Sequence, residues 1–389
     1  MGAREHYAIP RALQQRGLLD ALITDLWAKP GSMIGLRKNG VRERYHPGLA
    51  AAQVRAANLG ALAFELSART RGLSGWKLIT KRNNWFQSFS VAQLRLRPRS
   101  RGSCTVFAYS YAARRIFEHA RARGWKTILG QIDAGPPEER KIEQAQGRFF
   151  QPWSRWESAP QAYWDEWRVE CELADRIVVN SDWSRDALIS EGIPTEKLKT
   201  IPLALETPVD ARSFDRIYPA TFSSDRPLRV LFLGQIGLRK GIPFLLESIE
   251  LLRDEPIEFW FVGPLQVAIP AELAQGPQVK LVGPVARNAV SEYYRKADVF
   301  IFPTLSDGFG LTQLEAQSWK LPIVASSYCG KVVRHGENGL LLQEISADSI
   351  AHTLRRLVRS PRELQQMAAA SGIAEPFSLR SLATSLLSL

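Results

Sequence analysis

Residues 299–326 read VFIFPTLSDGFGLTQLEAQSWKLPIVAS, and the fold turns on them. An apolar run, Val299 to Phe302, meets a turn relaxed by Gly308 and Gly310. A helical stretch follows, and a second apolar run, Ile323-Val324-Ala325, completes the unit. Neither run alternates with polar residues, so both faces of each strand are covered, as in a parallel sheet held between helices. The same punctuation recurs outward from this point. Ile177 to Val179, Arg229 to Leu233 and Glu258 to Val262 are β-branched or aromatic runs, each followed by turn residues and a helical stretch.

At 389 residues the chain exceeds what one core ordinarily fills. The strand–helix pattern breaks once, at ETPVDARSFDRIYPATFSSDRP, residues 206–227, a polar stretch punctuated by Pro208, Pro219 and Pro227. The fold class expected is α/β: two doubly wound parallel-sheet (Rossmann-like) domains facing across a cleft. The N-terminal domain takes residues 1–206, a linker 207–227, the C-terminal domain 228–373, and a C-terminal helix, 374–389, returns to the N-terminal domain. One element is missing. The chain opens MGAREHYAIPRALQQRG, a glycine turn leading into a helix, and Ala21-Leu22-Ile23-Thr24 resembles a second strand. A first strand is expected ahead of Gly2, and none is present.

The net charge of +12 favours anionic partners: nucleotide diphosphates, nucleic acid or acidic headgroups. Cys104, Cys171 and Cys329 are too scattered for a disulfide framework or a C-x-x-C metal site, and the five His lack metal-ligand spacing. No metal site is expected. No apolar run approaches the roughly 20 residues that span a bilayer, and the N-terminus lacks a signal peptide's apolar segment. A cytoplasmic protein follows, able to touch the inner face of a membrane.

Two stretches carry chemistry. Gly234-Gln-Ile-Gly237-Leu-Arg239-Lys240-Gly241 follows a strand and opens a helix, bringing two cations to a helix N-terminus. It is not a P-loop, because Lys-Ser/Thr after the second glycine is absent. An ordinary turn with solvated charges would read the same way. In 304–316 the amides of Gly310, Leu311 and Thr312 point from the first turn of a helix, suited to a diphosphate. Glu315 lies further in, where a carboxylate can accept from ribose hydroxyls. An acid among VFIFP, LEA and LPIVAS needs a partner, since an unpaired buried charge is costly.

These residues resemble glycosyltransferase family 4, retaining enzymes with the B-type two-domain fold. The resemblance rests on Asp307, seven residues, then Glu315 and the Leu-Pro-Ile-Val-Ala-Ser strand, with Gly336-Glu-Asn-Gly339 downstream. Ala174 to Arg185 and Ile201-Pro202 match the family around the break, so the likeness covers roughly 175–342. It implies that Arg239 and Lys240 neutralise a departing diphosphate, that Glu315 holds the ribose, and that Asp307 with the backbone of Gly308, Phe309, Gly310 and Leu311 contacts donor sugar and phosphates. Gly234 and Gly237 would line the donor site, and Val282-Gly283-Pro284 would meet the base. It implies retention of configuration, a nucleotide-diphosphate sugar as co-substrate rather than a cofactor, and a saccharide or lipid-linked acceptor. The sequence departs from the family in three places: Asp307 where Glu is usual, Gln235 where Arg often stands, and a contracted Cys329-Gly330-Lys331 segment.

In the N-terminal half Asp133 occupies the strand end where the family often has His; it either contacts the donor or caps the next turn. Gly2 and His6 are the acceptor candidates. Between Glu65 and Glu118 lie eleven Arg or Lys and no acid, interleaved with Trp76, Trp85, Phe86 and Phe89. That mixture suits an anionic membrane surface or a solvated face over core aromatics, ahead of nucleic acid. Trp153, Trp156, Tyr163, Trp164 and Trp167 could stack on sugars, although the spacing of Trp164 and Trp167 fits core packing. A non-catalytic nucleotide-sugar-binding module and a sugar-nucleotide epimerase on the same fold are the competing readings.

Overall fold

The computed structural model describes residues 4–31, 44–98, 102, 104–149 and 156–389. Among the described residues twelve strands form three parallel sheets. In the C-terminal lobe β7 (Leu228–Leu233), β8 (Ile257–Val262), β9 (Val279–Gly283), β10 (Val299–Phe302), β11 (Ile323–Ala325) and β12 (Gly339–Leu341) take the order β12-β11-β10-β7-β8-β9. Chain order runs outward in both directions from the β7–β10 pair, where Val299 and Phe300 lie against Val230 and Leu231. This is a doubly wound sheet with its switch point between β7 and β10, and ligands in such sheets sit beyond the carboxyl ends of the two central strands. Every residue of β10 and β11 is buried. Helices cover both faces, which is why these runs are continuously apolar.

The described strands of the N-terminal lobe fall into two sheets. β3 (Thr105–Tyr109), β4 (Lys126–Gly130), β5 (Arg176–Val179) and β6 (Leu198–Thr200) form one sheet in chain order. Among the described residues β1 (Leu22–Thr24) pairs only with β2 (Val54–Ala56), in another. The C-terminal helix Leu379–Leu387 joins the core of this lobe: Leu379, Leu382 and Leu386 pack with Ala8, Ile9 and Ala12 of the first helix and with Ile128 and Val178.

The stretch 207–227 is not a loose connector. Arg216 is buried and donates to the carbonyls of Tyr294, Trp319 and Lys320, and to that of Ala297. Tyr218 donates to Asp298 O at 2.7 Å, and Arg226 makes a two-armed contact with the Asp298 carboxylate. Its polar composition therefore serves docking onto the C-terminal lobe, where a buried guanidinium is tolerated because its donors are met.

The aromatics that suggested a membrane seat are engaged inside their lobe. In the helix Gly75–Arg95, Phe86 is buried, Trp85 stacks on Phe64 at 5.3 Å, and Trp76 meets Tyr163 at 4.8 Å. No described helix is long and apolar enough to cross a membrane.

Candidate functional site

The loops after β7 and β10 meet at the switch point. Leu305 N–H and Thr304 Oγ1 both donate to Arg239 O, at 2.9 and 3.1 Å, so the two loops are tied at the backbone. Gly241 makes this possible: it adopts φ 72°, and a Cβ there would lie 1.9 Å from Pro303 O. The short turn Leu238–Lys240 consequently aims Arg239 and Lys240 toward the loop 304–310.

The two cations already have partners within the site. Lys240 Nζ is bonded to Asp307 Oδ2, and Arg239 Nη1 lies 3.6 Å from the same oxygen while donating to Ser306 O at 3.0 Å. Burial alone would raise the Asp307 carboxyl; Lys240 and Arg239 outweigh it and hold it down to about 2. Burial lowers the Lys240 ammonium. Any phosphate entering here shares these cations with Asp307. Lys240 Nζ is 4.7 Å from the Phe302 ring centroid, and a Cβ at Gly310 would fall 2.5 Å from that same ring. Lys240 and the Gly310 turn thus flank one side chain and can face one ligand.

The helix Thr312–Ser318 starts just after this turn, so the amides of Gly310, Leu311 and Thr312 precede its first possible intrahelical acceptors. On it, Glu315 accepts from Tyr294 OH at 2.9 Å, and its other oxygen stands 3.9 Å from His6 Nε2. Burial raises the Glu315 carboxyl. Arg287 contacts the His6 ring, and His6 is pushed down to about 4 by burial first, then by Arg287, Arg11 and His46. A neutral His6, the acceptor candidate, thus stands beside Glu315. Val282, at the end of β9, is half-buried in the cluster that includes Leu311. Gly2 lies outside the described residues, as does Trp153.

The facing lobe closes on the same loop. Gly308 lies so near the N-terminal lobe that a Cβ would be 2.1 Å from Ile132 O and 3.2 Å from Asp133 Cα. Asp133 Oδ1 accepts from Gly135 N–H and Gln131 Nε2, both at 3.0 Å, and from Tyr111 OH. The turn-capping reading of Asp133 is therefore realised, at a position that also borders Gly308. Ser306 bridges the lobes, accepting from Trp183 Nε1 at 2.8 Å and donating to Glu138 Oε2 at 2.7 Å. Burial pushes Glu138 up to about 7 against the pull of Arg239. Lys141 Nζ sits 3.5 Å over the Tyr328 ring, a third crossing.

Glu138, Trp183, Ser306, Arg287 and Tyr294 were not singled out from the sequence. Pro136-Pro137 ahead of Glu138 marks the helix Pro136–Arg148, with acids in its first turn, and nothing in the local pattern says that this turn faces the other lobe. The contracted segment has a packing explanation. A Cβ at Gly330 would lie 2.3 Å from the Phe309 ring, and Gly330 N–H donates to Phe309 O at 2.8 Å, so this glycine lets Phe309 lie flat on the loop. Of the aromatic cluster, Trp167 is fully buried and donates to Gln131, as the core reading expects. Trp76, Trp156, Tyr163 and Trp164 line a small recess of about 80 Å³ beside Asp133 and Glu138.

Residues 227–360 match the family described as glycosyl transferases group 1. A D-inositol 3-phosphate glycosyltransferase of Kineococcus radiotolerans is 31% identical over 232 residues, covering 51% of this chain and 52% of the relative. The amylovoran biosynthesis glycosyltransferase AmsK of Erwinia amylovora is 26% identical over 186 residues, 44% of each. The chain spans about half the length of the curated relatives it matches. Among solved structures, a sucrose-phosphate synthase from Thermosynechococcus elongatus superposes with a TM-score of 0.64 at 17% identity, covering 97% of this chain and 90% of that one. An Anabaena protein in complex with UDP gives 0.58 at 16% identity, covering 95% and 98%. At such identities the likeness establishes the fold: two Rossmann-like lobes of the B-type glycosyltransferase architecture. The match to the glycosyl transferases group 1 family thus lies in the C-terminal lobe, residues 227–360.

Proposed function

We propose that the chain is a retaining glycosyltransferase that moves a sugar from a UDP- or GDP-sugar to a saccharide or lipid-linked acceptor. One observation carries the reading: Arg239, Lys240 and the Gly310 turn converge at the switch point, with Glu315 on the helix that this turn starts. In the reaction proposed, charge grows on the departing phosphate oxygen. Arg239, Lys240 and the first-turn amides stabilise it without moving far, which is electrostatic preorganisation. Glu315 holds the ribose, and the acceptor attacks from the face being vacated.

Asp307 complicates the step in a useful way. It already neutralises Lys240, so the incoming diphosphate must compete for that ammonium. The sugar hydroxyls can then occupy the carboxylate that Lys240 releases. The same pairing supports a second reading, a nucleotide-sugar-binding module in which Lys240 never transfers its partner. Donor consumption separates the two. Purified chain is incubated with UDP- and GDP-sugars and mixed saccharide acceptors, beside Lys240→Ala and Glu315→Ala. Turnover by wild type and its loss in both variants supports the transferase; UDP or GDP raising Tm with no turnover in any mixture supports the module. No thermal shift with any nucleotide would overturn both.

A further inference from the structure

The recess of about 80 Å³ in the N-terminal lobe adjoins the loop 304–310 of the facing lobe. Two of its wall residues make the junction: Asp133 borders Gly308, and Glu138 accepts from Ser306 Oγ. Space of that size admits about six waters, roughly what one sugar ring displaces. Tyr163 stands at the middle of the aromatic wall. Its ring stacks on Tyr111 at 4.8 Å and 21°, and meets Trp76 at 4.8 Å and Trp164 at 5.4 Å. Packing against one another does not bury these rings: Trp76, Tyr163 and Trp164 each stay half-buried where they line the recess.

The two indoles are fixed by their polar ends. Trp76 Nε1 donates to Glu157 O and Trp164 Nε1 to Glu139 Oε2, both at 3.0 Å. With those N–H groups engaged, the rings offer a ligand their carbon surface, and immobilised rings lose little entropy when one settles on them. Tyr111 is held harder still. Its backbone sits at φ 72°, which a non-glycine residue keeps only where its surroundings over-determine it. Here the buried Glu170 carboxylate accepts from Tyr111 N–H and Ala113 N–H, both at 2.6 Å. That anchor sets the phenol against Tyr163 and its hydroxyl on Asp133.

The polar lining leans one way. Asp133, Glu138 and Glu139 line the recess, and no Lys or Arg does so among the described residues. Arg239 is within electrostatic reach of Glu138 and Asp133, but it belongs to the other lobe and is engaged by Ser306 O and Asp307. Trp156 also lines the space, and its buried indole N–H has no acceptor among the described residues. Carboxylates that accept, beside a neutral N–H that donates, match a hydroxylated ring and oppose a phosphate. We propose that this recess is a subsite for one pyranose ring of the acceptor, and that this ring is neutral. Its hydroxyls meet the carboxylates, its C–H face lies on Trp76, Tyr163 and Trp164, and a phosphate on the ring is refused. The proposal rests on the transferase reading above and narrows its acceptor.

Saturation-transfer NMR on the nucleotide-free chain reads this binding without any need for turnover. The probes are the methyl α-glycosides of glucose, mannose and galactose, beside the 6-phosphates of the same sugars. At least one glycoside should bind, and its 6-phosphate counterpart should bind about tenfold more weakly. Trp76→Leu and Tyr163→Leu keep apolar bulk and remove a ring; each should weaken the glycoside about tenfold. Circular dichroism identifies which of the two is folded, and either one suffices. No binding by any glycoside overturns the proposal. So does binding untouched in a folded variant, or a 6-phosphate that binds as well as its parent glycoside. Glycoside binding without turnover would keep the subsite as a saccharide site and remove the transferase reading. Turnover on a saccharide, with no glycoside bound, would do the reverse.

Discussion

The two lobes are built on the same plan, and their described strands are grouped differently. In the C-terminal lobe six strands run without a gap, and the loops at its switch point are tied to each other through Arg239 O. In the N-terminal lobe the described strands fall into two sheets, and the groups that reach the site, Asp133, Glu138 and Trp183, come from the four-stranded one. The lobe with the unbroken sheet supplies the cations and the turn. The N-terminal lobe supplies carboxylates and the backbone that borders Gly308. Loops tied through Arg239 O carry the cations, and cross-lobe contacts border them.

The strongest way to break this division is at Lys240. If the C-terminal loops carry the transition-state charge, Lys240→Met should cost about 10²–10³-fold in transfer rate. It should also destabilise the fold by about 3 kcal/mol, because Asp307 loses its nearest cation in a mostly buried place. Lys240→Met with Asp307→Asn should recover most of the stability and none of the rate. Denaturant unfolding and initial rates on the same preparations test both halves. A single variant as stable as wild type would mean that Arg239 alone suffices to balance Asp307.

Gly308→Ala attacks the other half. Its methyl would sit 2.1 Å from Ile132 O, against backbone that cannot rotate away, so the lobes must part. A displacement of that order should cost about 100-fold in transfer. Small-angle scattering should show a larger radius of gyration than wild type. Unchanged scattering and rate would show that the lobes close elsewhere.

Much of this contrast could be read from the sequence, for a physical reason. β10 and β11 are buried on both faces, so their run of apolar residues marks them without any partner in view. Gly308 and Asp307 were readable because turn chemistry is local. Glu138 was not, since its meaning comes from Ser306, 168 positions away, and an acid in a helix's first turn looks the same whether it faces water or another lobe. Arg287 escaped for the same reason: its contact is His6, 281 positions distant. The pairing of Lys240 with Asp307 shows the limit from the other side, because both residues were named and their mutual neutralisation was not.

A smaller effect is expected at Glu315. Glu315→Gln keeps an oxygen for Tyr294 OH and removes the charge. Donor KM should rise about tenfold with kcat little changed, the signature of a lost charge-assisted hydrogen bond made in ground and transition states alike. An altered kcat with KM intact would move Glu315 from binding the ribose to the reacting centre.

The finest probe of the comparison is pH, read at Glu138. Burial holds its carboxyl up to about 7 from an ordinary 4.5, so between those values the folded chain keeps a proton that the unfolded chain has lost. Stability from this group is complete below about 4.5 and drains away as pH rises through about 7. Glu138→Gln cannot ionise and should escape that loss. Its Tm relative to wild type should therefore be higher at pH 8 than at pH 5, by a few degrees. Glu170, pushed up to about 7 by burial, drains in the same window, but it is common to both proteins and cancels in the difference. His6, lowered to about 4, works in the opposite sense, adding stability as pH rises from about 4 to 6.5, and cancels likewise. A Tm difference flat from pH 5 to 8 would mean that Glu138 stays ionised against Arg239, and that the N-terminal lobe presents a full negative charge to the cations of the other.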